Sequence, residues 1–335
     1  MSARSRALSL EGMNGSLARV VAYSRLHCGM FSFGRPDVRR FGGVGLMIDR
    51  PGLELTVVPA DRFVATGAET DRVSQCVGRL VAAGWFAQPP ACRVDICRPP
   101  PAHAGLGSGT QLALAVAAGL SALSGRPPCD ARQLAAATGR GLRSAIGLHG
   151  FAVGGLLVEA GKQRRDELGP LVARVDLPDR WRFLLITPTG SQGLSGEAEV
   201  QAFDRLPAVP LPTTERLCRL ALLDMLPAAQ AGDFAHFSQA YFEYGHLAGA
   251  CFATEQGSAY ASPRLAEIVG RVRAMGIGGI IQSSWGPTLA ALLPDRSAAD
   301  ELAHALRADP VTADAKFEIA APVNHGAVIT RELSE

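Results

Sequence analysis

Ten residues constrain this chain more than any others: Pro101-Ala102-His103-Ala104-Gly105-Leu106-Gly107-Ser108-Gly109-Thr110. Three of them are glycines, which let a backbone come close to a ligand because no Cβ holds it away. The loop ends where a long apolar run, Gln111 to Leu123, begins. Gly125 and the pair Pro127-Pro128 follow that run in the order expected after a helix. Free N–H groups and the positive end of a helix dipole therefore converge on the loop, which suits an anionic phosphate. Ser108 and Thr110 add hydroxyls that can reach a phosphate or a phosphate-bound metal. Two familiar phosphate loops do not fit. A Walker loop needs Lys after its last Gly, and Thr110-Gln111 follow here. A dinucleotide fingerprint needs an acidic residue about 20 positions on. Asp130 has that spacing but stands in the Pro-rich loop after the helix.

Around this loop, strand and helix patterns interleave without a repeat. Arg19–Tyr23 reads as a strand feeding Ser24–Met30, and a loop rich in Gly and Arg, Phe33 to Gly45, follows. Leu53–Val58 and the alternating Cys92–Cys97 are further strands; Asp71–Ala83 carries an apolar helical face, and Ala131–Ala137 is a shorter helix. Charge rises at Lys162–Glu167, the expected domain junction. Beyond it, the pattern predicts helices at Glu215–Leu226, Phe234–Leu247, Arg264–Met275 and Ala298–Arg307. Strands are expected at Phe183–Thr187, Phe317–Ile319 and Ala327–Ile329, and at Gly276–Gln282 and Thr288–Leu293 around a tight Ser283–Pro287 turn. This is an α+β order rather than a doubly wound sheet.

Composition narrows the function classes. A chain of 335 residues with 47% apolar and 19% charged residues is ordinary globular protein, long enough for two cores. A net charge of +2 gives no footprint for nucleic acid. The seven cysteines are odd in number and irregularly spaced, with no CxxC, so the expectation is reduced thiols in a cytoplasmic protein without a bound transition metal. The start is basic and polar with no apolar segment of a secretory signal behind it, and no apolar run approaches the roughly 20 residues of a membrane span.

The loop is similar to the phosphate-binding motif of the GHMP kinases, with Gly-Leu-Gly-Ser-Gly-Thr-Gln where those have Gly-Leu-Gly-Ser-Ser-Ala. Together with His103, this variant resembles the β-ribofuranosylaminobenzene 5′-phosphate synthase branch. Three more blocks resemble the same branch in order: Arg25-Leu26-His27 with Arg39-Arg40-Phe41-Gly42-Gly43-Val44-Gly45, then Arg140 to Gly147, and Gln282-Ser283-Ser284-Trp285-Gly286-Pro287-Thr288. The resemblance spans roughly residues 18 to 330 and implies two domains with a site in the cleft between them. Residues 1–165 would form a ribosomal protein S5-like domain carrying the loop, and 166–335 a ferredoxin-like domain. It also implies a homodimer. The implied reaction joins phosphoribosyl pyrophosphate to 4-aminobenzoate or 4-hydroxybenzoate with loss of carbon dioxide and pyrophosphate, an early step toward tetrahydromethanopterin-type carriers. Magnesium would accompany the pyrophosphate.

Such a reaction needs donors for the departing pyrophosphate, cations for a carboxylate and a 5′-phosphate, and an apolar wall for an aromatic ring. Gly105, Gly107, Ser108, Gly109 and Thr110 are the expected phosphate contacts. Arg25, Arg39, Arg40 and Arg143, from the motif blocks, are the candidate cations, and Phe31, Phe41 and Trp285 the aromatic candidates, with Ser283 and Ser284 beside the last. Arg143, His27 and His103 are the catalytic candidates; His27 suits a core histidine as well as an acid–base, and Trp285 could equally plug the second domain. Asp49 is a candidate for metal or ribose, while Arg35 and His149 read as surface or packing residues. Two other readings stay open: an ATP-dependent kinase of the same fold, against which Gly109-Thr110 and Gln282–Trp285 argue, and a non-catalytic phosphometabolite-binding protein.

Overall fold

In a computed structural model that describes residues 16–126, 130–164, 167–190 and 196–332, the chain is organised around one antiparallel ribbon. The polar lead of residues 1–15 and Cys129 lie outside the described residues. β1 (Leu17–Ser32) and β2 (Phe41–Pro59) run for 16 and 19 residues. The expected first strand stopped at Tyr23, and Phe33–Gly45 was expected as a loop; instead, pairing continues to Ser32↔Phe41. Register shifts after Ala22 and after His27 take up extra residues, which interrupts the two-residue alternation that marks a strand. The ribbon also needs glycine at one crossing, where a Cβ on Gly43 would stand 2.1 Å from the Gly29 carbonyl oxygen.

The remaining elements follow in two groups. The first is β3 (Val64–Gly67), α1 (Thr70–Ala82), β4 (Cys92–Arg98), α2 (Ser108–Leu123), α3 (Ala131–Thr138), α4 (Ile146–Val153), β5 (Leu156–Glu159) and β6 (Leu171–Val175). The second is β7 (Arg182–Thr187), α5 (Gly196–Arg205), α6 (Leu211–Arg219), α7 (Leu226–Ala231), α8 (Phe234–Ala250), α9 (Ala253–Gln256), α10 (Pro263–Ala274), β8 (Ile280–Gln282), β9 (Leu289–Leu293), α11 (Arg296–Ala308), β10 (Lys316–Ala320) and β11 (Val328–Glu332). The expected single helix at Glu215–Leu226 is interrupted by a π turn, Leu220–Met225.

The first sheet has the order β11-β1-β2-β4-β3, with β5 on β2 and β6 on β5. The second is antiparallel, in the order β10-β7-β9-β8. Alternation along β7 decides its packing. Phe183 and Leu185 face α8 through Phe237, Tyr241 and Tyr244, while Leu184 and Ile186 face α10 and α11 through Ile268, Val272, Leu302 and Leu306. The first half of the ribbon (Ala18, Val20, Leu55, Val57) packs on α2, which is apolar all round and buried between the sheet and α1, α3 and α4. The second half (Leu26, Cys28, Val44, Leu46) joins the core that holds α8 and β7, so a single core spans both units.

A boundary at residue 165 does not hold. β5 and β6, on either side of Lys162–Glu167, pair with each other in the first sheet, and β11 returns to pair with β1. The described ends of the charged stretch are tied into the fold. Lys162 is buried, and the Glu167 carboxylate accepts the amides of Gln163 and Arg164 together with Arg39. Both sheets are those of the expected α+β architecture. Among the described residues the six cysteines are free thiols, and no helix is long and apolar enough to cross a membrane.

The returning chain crosses the end of α4 at Gly154, whose φ is 61° and where a Cβ would stand 2.3 Å from the His325 carbonyl oxygen. Backbone cannot yield as a flexible side chain does. Gly154→Ala is therefore expected to lower stability by roughly 2 kcal/mol or more, read as a lower urea unfolding midpoint; an unchanged midpoint would refute this crossing.

Candidate active site

The loop 101–107 enters α2 with Gly107 at φ 74°, a left-handed cap that glycine adopts without strain. The first intrahelical bonds come from Thr110 and Gln111 to the Gly107 carbonyl, so the amides of Ser108 and Gly109 begin the helix with no partner inside it. Arg25 of β1 donates its amide to the Leu106 carbonyl at 3.0 Å, which fixes the loop to the ribbon. From the other side comes the Ser283–Pro287 turn. The Ser283 hydroxyl donates to the Gly105 carbonyl at 2.9 Å and accepts the His27 amide at 3.1 Å, and Ser284 donates its amide to the His27 carbonyl.

These contacts leave a cleft of ≈ 440 Å³ at the α2 N-terminus, in the size range of small-molecule sites. Its walls include Arg25, Arg72, Arg140 and Arg143, with no carboxylate among the described lining residues. A Cβ on Gly109 would lie 3.3 Å from Arg72 and 3.6 Å from Arg140, so glycine admits both guanidiniums to the helix start. Burial, then the charges of Arg79 and Arg72, press the Arg140 guanidinium below its ordinary pKa. Like charges gathered in a cleft raise the folded protein's energy until an anion arrives, a pattern of function rather than stability. Among the described residues no cluster of three His, Cys, Asp or Glu could hold a metal ion.

Of the expected site residues, Arg25, His27, His103, Gly105, Gly107, Ser108, Gly109, Thr110, Arg143, Ser284 and Trp285 do line this cleft. The Arg143 guanidinium stands 4.7 Å from the Phe203 ring centroid. Trp285 packs edge-on against Phe203 and Phe252 and is both plug and wall. Others lie elsewhere. Arg39 is held by Glu167 at 2.7 Å and by the Gly161 carbonyl, and Arg40 makes a backbone bridge to Lys162. Ser283 is fully buried, its hydroxyl spent on joining segments. Phe31 packs against Tyr244 in the core, and Phe41 against Phe203. Asp49 accepts the Ala321 amide, and His149 meets the Gly169 carbonyl.

Sequence reading did not single out Arg72, Arg140 or Lys162, and offered Glu159 only as a possible partner for Arg143. Arg72 sits in the first turn of a helix whose only legible feature was its apolar face. Glu159 and Lys162 anchor the arginine-bearing loop from behind. Both Glu159 oxygens lie 2.8 Å from the Ala145 amide nitrogen, and Lys162 donates to the Gly141 and Leu142 carbonyls at 2.9 and 2.6 Å. Burial pushes the Glu159 carboxyl up to about 7, against the opposing pull of Ser144, the Ala145 amide, Lys162 and Arg25. His27 meets Ser144 Oγ through Nε2 at 3.0 Å; burial, then Arg25, hold its pKa well below the usual imidazole value.

Residues 225–311 match the GHMP kinases C-terminal family. The chain is 31% identical over 261 residues to the β-ribofuranosylphenol 5′-phosphate synthase of Archaeoglobus fulgidus, covering 70% of this chain and 82% of that one. It is 29% identical over 286 residues to the enzyme of that name from Methanothermobacter thermautotrophicus, covering 79% and 85%. Among solved structures, it superposes on homoserine kinase from Cytophaga hutchinsonii with a TM-score of 0.63 at 15% identity, over 96% of this chain and 100% of that one. Mevalonate diphosphate decarboxylase from Staphylococcus aureus gives 0.63 at 14% identity, over 94% and 98%. These two likenesses show the fold.

Because Arg140 is held charged at a cost, replacing it separates binding from stability. Arg140→Met is expected to melt no lower than the parent protein while its affinity for inorganic pyrophosphate falls about 10- to 100-fold, the loss of a charge-assisted hydrogen bond. Calorimetric titration and thermal melting measure both; unchanged affinity would remove Arg140 from the anion site.

Proposed function

The chain belongs to the β-ribofuranosylphenol 5′-phosphate synthase family, and on that footing we propose that it joins phosphoribosyl pyrophosphate to a 4-substituted benzoate with release of carbon dioxide and pyrophosphate. The observation that carries this reading is the cleft with four arginines and no described carboxylate, built around a helix N-terminus. Phosphoribosyl pyrophosphate and an aryl carboxylate together bring three anionic groups, and such a lining suits them. A phenol product calls for 4-hydroxybenzoate as the acceptor, with 4-aminobenzoate as its amine counterpart.

The chemistry assigns work to the residues present. Pyrophosphate leaves with the electron pair of its bond to the anomeric carbon, and the sugar takes on positive charge. The amides of Ser108 and Gly109 and the guanidiniums of Arg72 and Arg140 stabilise the negative charge that collects on the leaving group. The acceptor's ring carbon that bears the carboxylate attacks the anomeric carbon, and the bond to the carboxylate then breaks to restore the aromatic ring. Arg25 and Arg143 are left for the 5′-phosphate and the carboxylate, with Trp285 and Leu142 as apolar wall. Magnesium arrives as part of the pyrophosphate substrate; the cleft offers it the Ser108 and Thr110 hydroxyls. We place this step in the cytoplasm, toward tetrahydromethanopterin-type one-carbon carriers.

The test supplies magnesium phosphoribosyl pyrophosphate and 4-hydroxybenzoate labelled in its carboxyl group. Labelled carbon dioxide and pyrophosphate are expected in equal amounts; release of neither, with either aryl acid, would overturn the reading. Within it, Arg143→Lys keeps the charge and loses the planar fork. Its kcat/KM is expected to fall about 10- to 100-fold with little change in melting temperature, whereas near-normal kinetics with a lowered melting temperature would make Arg143 structural.

A further inference from the structure

We infer that Ser284 reads the 4-substituent of the aryl acid, in a neutral recess that adjoins the cleft between β1 and α8; this rests on the reaction proposed above. The recess holds ≈ 30 Å³, room for about one or two groups the size of a water and too little for a ring. It shares His27, Met30, Ser284 and Trp285 with the cleft. The four arginines of the cleft do not line it, and its described lining carries no Arg, Lys, Asp or Glu. Small residues make it. α8 approaches β1 so closely that a Cβ on Gly29 would stand 2.2 Å from the Ala248 Cβ, and Gly245 and Gly249 continue that wall. Phe252 lines the recess and packs edge-on against Trp285, their ring centroids 4.8 Å apart, so the apolar wall of the cleft continues into it.

Ser284 lines both spaces. Its φ is 55°, in the left-handed region that glycine adopts without strain and serine does not. Its backbone is held on both sides. The amide donates to the His27 carbonyl at 3.2 Å, and the carbonyl accepts Gln282 Nε2 at 3.0 Å. Gln282 is anchored in turn, its Oε1 accepting the Ala261 amide at 2.7 Å. These bonds leave the Ser284 hydroxyl with no partner among the described residues. The turn itself therefore gains nothing from a side chain at 284, and glycine would serve it better. A strained residue whose hydroxyl is unspent, at the border of two ligand spaces, points to a ligand contact.

The shape of the acceptor fits this division. In a 4-substituted benzoate the carboxylate and the 4-substituent lie at opposite ends of the ring. With the carboxylate turned to the arginines and the ring along Trp285 and Met30, the other end meets the recess, where a neutral group meets no charged side chain. A hydroxyl there donates to Ser284 Oγ or accepts its proton, and an amine donates to it. A serine hydroxyl rotates between the two roles, so the recess admits either group. A methyl group is nearly the same size and makes neither bond. A larger group exceeds the space.

The experiment reads affinity, which needs no turnover. Calorimetric titrations compare 4-hydroxybenzoate, 4-aminobenzoate, 4-methylbenzoate and 4-tert-butylbenzoate on the intact protein and on Ser284→Gly. On the wild type, the hydroxyl and amine acids are expected to bind about five- to tenfold tighter than the methyl acid, the equivalent of one hydrogen bond. The tert-butyl acid should bind about tenfold or more below the methyl acid, because it overfills the recess. In Ser284→Gly the advantage of the hydroxyl over the methyl should shrink to less than about twofold, with little change in melting temperature, since glycine relaxes the backbone there. Equal binding of the hydroxyl and methyl acids to the wild type, tight binding of the tert-butyl acid, no binding of any of the four, or a preference that survives in Ser284→Gly would each overturn the inference. The two readings fail separately. The expected affinity order without release of carbon dioxide upholds Ser284 and removes the reaction, whereas turnover of 4-hydroxybenzoate with a flat affinity order upholds the reaction and removes Ser284.

Discussion

One buried hydroxyl ties the site together. Ser283 Oγ accepts the amide of His27 on the ribbon and donates to the carbonyl of Gly105 in the glycine-rich loop, while its own amide closes the C-terminal turn on the Thr288 carbonyl. Three segments far apart in sequence meet at that one atom, in a place with no exposed surface. A polar group so placed is favourable only when each of its bonds is made. The backbones are also in contact: a Cβ on Gly105 would stand 2.2 Å from the Ser283 carbonyl oxygen, and one on Gly286 would stand 2.3 Å from the Gly105 backbone. The loop therefore takes its position from the C-terminal unit as much as from the helix it precedes.

On this frame the chain gathers cations. Arg25 comes from the ribbon, Arg72 from α1, and Arg140 and Arg143 from the segment before α4. Arg72 has a carboxylate one turn away in Glu69, at 2.6 Å. The other side of the cleft is balanced from behind: Lys162 and Glu159, both buried, fasten the backbone of the arginine-bearing segment without reaching the ligand space. Thus the scaffold beneath the lining is fixed by carbonyls and amides. Fixed donors that need not reorganise as charge develops are what a departing pyrophosphate requires.

How much of this was legible depends on whether the signal is local. The entry of the glycine-rich loop into α2 was readable because glycine spacing, the helix start and the apolar run behind it are contiguous in sequence. The second-half strands were readable because β7 and β9 are short, continuous apolar runs. The ribbon was underestimated because its register shifts break the alternation after Ala22 and His27. The domain junction was misplaced because charge at Lys162–Glu167 looks like a linker, whereas Lys162 is buried and Glu167 accepts the Gln163 and Arg164 amides. Arg39 and Arg40 share a motif block with residues of the site yet point their interactions at Glu167 and Lys162. Conversely, nothing in the first turn of α1 says that Arg72 reaches the phosphate loop; that depends on how α1 packs over α2. Glu159, offered from sequence only as a possible partner for Arg143, was hard to place for the same reason: a lone acid at the end of an apolar strand, it takes the Ala145 amide, fourteen residues back.

The fold alone leaves the chemistry open, since the same backbone carries kinases at 15% identity and a TM-score of 0.63. A phosphate cradle at a helix N-terminus stabilises charge on phosphoryl oxygens, and that serves a phosphoryl group in transfer and a pyrophosphate in departure alike. What separates the two reactions is the group that faces the electrophile. Transfer to an alcohol asks for a base beside a hydroxyl and a polar pocket. Attack by an aromatic ring asks for a flat apolar wall, and a base only where the ring must first be made electron-rich. The Trp285 indole, the exposed Leu142 side chain and His27 line the cleft together with the arginines.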